Sequence, residues 1–159
     1  MPAPRAGLSW ARLEEAAPEL ARAGRLLLEP RGLALLGTVR RDGSPRVSPI
    51  GTFFLGGELV IGVMAASAKA RDLRRDPRYA LQSVVAEPDA GEPELKLYGR
   101  VEPTDADGGW WEGGRSGADV YRLLVDEAVY LEWDVPAERL RARRWTPAGG
   151  ERVSERPYP

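Results

Sequence analysis

The 159-residue sequence contains no cysteine and no histidine. It therefore has no disulfide framework, no thiolate nucleophile, no Ser-His-Asp triad and no His-bound metal. It also lacks the clustered acidic motif that a carboxylate-only metal site would need, so no metal is expected. It has no long apolar run to cross a membrane. Acids and arginines interrupt the N-terminal region, so no secretory core is read there and the expected location is cytoplasmic. Charge of one sign is missing as well. The 23 basic and 24 acidic residues leave a net charge of −1 and a pI of about 5.7, which argues against a nucleic-acid partner. Lysine is scarce: of the basic residues only Lys69 and Lys96 are lysines, and the rest are arginines.

What is present reads as one globular domain, 43% hydrophobic and long enough to bury a core. Residues 1–30 read as an arm and helices. Ser9 is placed to cap the run that follows, with Trp10, Leu13, Ala17, Leu20 and Ala21 at helical spacing. Pro18 divides it, ending one helix near Ala16 and opening a second. Residues 31–146 read as an antiparallel barrel. LALLGTVR, RVSPIGTFF and ELVIGVM are joined by turns at Asp42-Gly43 and Gly56-Gly57. Pro49 marks its strand as an edge or bulge. Tyr79 to Ala86 and ELKLYGRVEP continue the strands. VYRLLV and AVYLEWD read as two strands parted at Asp126-Glu127, and RLRARRW as the last. Residues 147–159 form a polar tail. The fold class is mainly β (α+β), a six- to seven-stranded antiparallel barrel with short peripheral helices. No room exists for βαβ units.

Between two strands stands ASAKARDLRRDPRYAL. Ser67 caps a short helix, Ala70 and Leu73 share one face, and Pro77 stops it. A helix N-terminus carrying Lys69 suits an anion such as phosphate. The alternative is an ordinary solvated, capped helix. In the following region, Trp110 and Trp111 sit in a glycine-rich stretch, as lid, interface or packing residues.

The pattern Ser67, Lys69, Ala70, Leu73, Pro77, Ala80, Leu81, with the strands before it, resembles the pyridoxamine 5′-phosphate oxidase-related superfamily. The similarity spans roughly Leu33 to Val101. It implies an FMN-binding split barrel, a homodimer with cofactor sites at the interface, and a small-molecule substrate. By the same resemblance, Arg46, Val47, Ser48 and Pro49 lie on the strand along the flavin, and Val63 and Met64 on the strand end facing its ring. Ser67 and Lys69 would contact phosphate, and Gln82 would lie near the ring or ribityl chain. Physically, Arg46 can pair with phosphate through its guanidinium fork. Two departures stand out. Ala68 occupies a place that is basic in the oxidase proper, where Arg71, Arg74 or Arg75 could substitute, although a solvated face suits most of the three. The chain also lacks the histidine of that enzyme's C-terminal substrate motif. The resemblance thus implies an FMN-dependent oxidoreductase other than the vitamin-pathway oxidase. A deazaflavin-dependent reductase, or a non-catalytic flavin-binding or ligand-sensing protein, are the alternatives.

Overall fold

The computed structural model describes residues 7–105 and 117–158. Helices α1 (Trp10–Ala16) and α2 (Pro18–Leu28) precede strands β1 (Leu33–Val39), β2 (Pro45–Leu55) and β3 (Glu58–Met64). Helix α3 (Ala68–Arg75) follows, then β4 (Arg78–Ser83), β5 (Glu94–Pro103), β6 (Ala118–Asp134), β7 (Arg139–Thr146) and β8 (Gly150–Pro157). Six antiparallel strands close a barrel in the order β1-β2-β3-β6-β5-β4, and β7 and β8 extend the sheet from the far half of β6.

Alternation along the strands builds the core. Ala34, Leu36, Leu59, Ile61, Val63, Leu81, Leu97 and Leu123 point inward and are buried. Each such leucine or isoleucine contributes about 1.5–3 kcal/mol of apolar burial. The paired helices add Trp10, Leu13, Leu20, Ala21 and Leu28. Their division at Pro18 follows the sequence, with Ala17 closing α1 through its N–H to the Leu13 carbonyl. Ser9 occupies the cap position of α1, but its side chain makes no capping hydrogen bond.

Two expectations change. VYRLLV and AVYLEWD are halves of one strand, β6, rather than two strands. The pairing runs Gly99 to Val125 and Tyr98 to Glu127, so Asp126 is an extra residue in a β-bulge. The polar pair Asp126-Glu127 therefore marks a bend, not a break. A Cβ on Gly99 would stand 1.9 Å from the Leu124 carbonyl oxygen, so only glycine fits against the bulge. The buried Tyr79 hydroxyl donates to that same oxygen at 3.2 Å. Burial pushes the Tyr79 phenol up and nearby Asp126 adds to this, so the hydroxyl keeps its proton. The second change is the tail, where Gly150–Pro157 pairs with β7 as an eighth strand. Its residues are all exposed, and its run of Glu and Arg side chains guards an open sheet edge.

Candidate functional site

The barrel is split between β2 and β3. Their pairing ends at Thr52 with Ile61. Beyond that, β2 runs on to Pro45 paired with β1, while β3 runs to Met64 paired with β6. Pro49 lies on the released part of β2, where a residue with no N–H forfeits no ladder bond. Backbone polar groups alternate sides along a strand. The Thr52 N–H donates toward the β1 side, to the Gly32 carbonyl, whereas the Pro49 carbonyl accepts from Lys69 Nζ at 3.0 Å. Val47, two residues from Pro49, therefore turns its N–H and C=O to the open edge.

Helix α3 spans the head of this opening. The Ala70 N–H donates to Ser67 Oγ at 3.2 Å, as the capping reading expects. Ala70 and Leu73 are buried beneath the helix. The three helix arginines are anchored rather than merely solvated. Arg71 Nη1 donates to the Ala66 carbonyl at 2.9 Å, and Arg74 Nη2 donates to the Ala65 carbonyl at 2.9 Å. Arg74 also pairs with Asp119, and Arg75 Nη2 donates to the Val39 carbonyl at 2.7 Å. Together they fix the turn from Met64 to Ser67 and the helix above it.

The structure divides the expected site residues between two faces of the sheet. On the outer face, Pro49, Leu35, Gln82 and Lys96 stand in one cross-strand row, and Val47, Gly37, Ala80 and Tyr98 in the next. All of these except Pro49 line a shallow hollow of about 160 Å³. Val47 is 69% exposed and Met64 is 56% exposed. Arg46 and Ser48 point the other way. Val63 is fully buried, so a ligand would meet its backbone and not its side chain. Trp110 and Trp111 lie outside the described residues.

Arg46 is already engaged. Its Nε donates to Asp72 Oδ2 at 2.7 Å. The same oxygen accepts from Thr38 Oγ1 at 2.9 Å, and Arg75 lies 3.2 Å from Oδ1. Burial pushes the Asp72 carboxyl up, but Arg46, Thr38 and Arg75 together outweigh it and hold the carboxyl below its ordinary value. Asp72 is the residue that sequence reasoning missed. Its signal was position: it falls beside Ala70 and Leu73 on the buried side of α3, where a carboxylate requires cationic partners. Around this cluster, α3 and the β1–β2 hairpin enclose a cleft of about 440 Å³ lined by Arg40, Arg41, Asp42, Arg46, Ala68, Arg71, Asp72 and Arg75.

Residues 20–132, more than half the chain, match the sequence family described as pyridoxamine 5′-phosphate oxidase. No curated protein matches the chain. Among solved structures, the chain is similar to PhzG from Burkholderia lata 383, crystallised with tetrahydrophenazine-1-carboxylic acid. That likeness has a TM-score of 0.67 at 11% identity and covers 89% of this chain and 93% of that one. A pyridoxamine 5′-phosphate oxidase-related, FMN-binding protein from Nostoc punctiforme PCC 73102 gives 0.58 at 12% identity, covering 94% and 97%. A heme-binding protein from Mycobacterium smegmatis gives 0.58 at 16% identity, covering 85% and 57%. At these identities the structures establish a shared fold.

Proposed function

The chain belongs to the pyridoxamine 5′-phosphate oxidase family, and from that premise we propose that it is an FMN-dependent oxidoreductase acting on a small molecule. The observation that carries the reading is the opening between β2 and β3. There the backbone edge of Val47, unpaired among the described residues, and the N-terminus of α3 with Lys69 meet.

The residues present fit such a group. The N–H and C=O of Val47 complement the polar edge of a flavin ring. The N-terminus of α3, with the Ser67 hydroxyl and the Lys69 ammonium, complements a phosphate. The exposed Met64 and Val47 side chains offer apolar cover. Bound FMN supplies the hydride chemistry, and the protein binds, orients and excludes water. A chain without histidine or cysteine can do this work. Lys69 would turn from the Pro49 carbonyl to the phosphate. Arg46, held by Asp72, would act through its remaining Nη groups or by positioning β2. The missing histidine sets this reading apart from the vitamin-pathway oxidase.

The outer face supports a homodimer in which a second copy covers Leu35, Val47 and Tyr98, side chains large, apolar and exposed on the single chain. Ala68, in place of a basic residue, favours one second reading, a deazaflavin-dependent reductase on the same barrel. A visible absorption spectrum, followed by titration with FMN and with the deazaflavin cofactor, separates the two. Flavin bands or tight FMN uptake support the first reading, and preferential deazaflavin uptake the second. A protein that takes up neither is not an oxidoreductase of this kind. Lys69→Ala is expected to weaken FMN binding by about 1.5–3 kcal/mol, the value of a hydrogen bond to a charged group.

A further inference from the structure

We propose that Met64 is a redox-sensitive site: hydrogen peroxide converts its thioether to the sulfoxide, and the oxidised side chain no longer holds a flavin at the β2–β3 opening. The sequence has no cysteine and two methionines, Met1 and Met64, so Met64 carries the one oxidisable sulfur among the described residues. It ends β3 and is 56% exposed, although methionine ordinarily fills cores. The exposure has a local cause. Pairing with β2 has already stopped at Thr52 with Ile61, so no β2 residue stands opposite Met64. On the other side, β6 sets only Ala118 across from it. Gly62, two residues earlier on the same face of β3, has no side chain, and the small Ala65 and Ala66 follow.

The backbone around Met64 is fixed. Its carbonyl accepts from the Ser67 N–H at 2.9 Å, and the Ala65 N–H donates to the Gly117 carbonyl at 2.7 Å. Arg74 Nη2 holds the Ala65 carbonyl at 2.9 Å. None of these bonds uses the thioether, so an oxygen added to sulfur leaves the strand and the turn in place. In the reaction a sulfur lone pair attacks one peroxide oxygen and the O–O bond breaks. The S–O bond forms, and the second oxygen leaves as water with both protons. Sulfur loses two electrons and peroxide gains them. The product replaces a polarizable apolar side chain, suited to contact with an aromatic ring, by a strongly polar one. The consequence for a flavin rests on the function proposed above, in which Met64 and Val47 give the ring apolar cover. A bound ring in turn shields the sulfur, so the empty site is the one that oxidises.

The test is tryptic mass mapping of the full chain treated with hydrogen peroxide, with FMN titrations before and after treatment. Cleavage after Arg46 and Lys69 frees residues 47–69, in which Met64 is the one sulfur-bearing residue. This segment is expected to gain one oxygen atom in peroxide that leaves thermal unfolding unchanged, and saturating FMN is expected to slow the gain about tenfold. FMN affinity is expected to fall about tenfold on oxidation, through loss of one side chain's apolar cover, and to return after treatment with methionine sulfoxide reductases. Met64→Gln is expected to show the weakened affinity without peroxide. The affinity of Met64→Leu, whatever its starting value, is expected not to change on treatment. A segment 47–69 that takes up no oxygen while added free methionine is oxidised overturns the proposal. So does an oxidised protein with unchanged FMN affinity, or a fall that Met64→Leu shares. Untreated protein that binds no FMN fails the flavin reading and, with it, the release, whereas the mass map alone decides whether Met64 is the oxidised residue.

Discussion

Asp72 determines how the candidate site is held together. A buried carboxylate serving two arginines and a threonine ties α3 to β1 and β2 at one point. Asp72→Ala leaves Arg46 and Arg75 without their partner, and a loss of about 3–5 kcal/mol is expected in denaturant unfolding. Thr38→Val is expected to cost about 1–2 kcal/mol in the same measurement. Arg46→Ala is expected to lower stability as well as FMN affinity, whereas Lys69→Ala lowers affinity with little change in stability; comparing the two assays separates the roles. Acid adds a further expectation. The hydrogen bond from Arg78 holds the Asp76 carboxyl down to about 2 from 3.8, and Asp72 is also lowered. As pH falls, these groups take up protons in the unfolded chain before they do so in the folded one. Their contribution is therefore complete above about pH 4 and is lost as pH falls toward 2, which a series of thermal melts from pH 5 to pH 2 checks. At this scale the sequence was partly legible. The cap at Ser67 and the place of Pro49 outside the β2–β3 ladder follow from residue type and neighbours. The engagement of Arg46 was not legible, because it depends on Asp72, 26 residues away.

At the scale of elements, periodicity served well where local chemistry decides. The proline break between α1 and α2, the Asp42-Gly43 and Gly56-Gly57 hairpins and the capped α3 follow from caps, turns and breakers. The bulge in β6 was hidden because its cause lies across the sheet, in Gly99. Gly99→Ala drives a methyl group into the Leu124 carbonyl, and a loss on the order of 3 kcal/mol or more is expected by thermal or denaturant unfolding. Strand β8 was hidden for a related reason. Its sequence is polar throughout and gains its order from the β7 edge rather than from burial.

For the whole molecule, the split between β2 and β3 links the fold to the proposed function. Strand pairing that stops at Thr52 leaves polar backbone at a place already bordered by a helix N-terminus and a lysine. The fold class was readable from hairpin spacing and a family pattern. The division of Arg46 and Ser48 from Val47 and Pro49 between two faces required the register. If a second copy covers the outer face, light scattering gives twice the 17.4 kDa chain mass, and replacing both Val47 and Tyr98 by charged residues returns it to the single value.

The most direct test of the proposed cofactor position is a ¹H–¹⁵N correlation spectrum of the labelled protein, recorded before and after addition of FMN. The account predicts that the amide of Val47 and those of Ser67 to Ala70 shift together, while those of the β7–β8 ribbon stay in place. Amides of the β2–β3 opening that remain unmoved at saturating FMN, with shifts elsewhere or none, would contradict it.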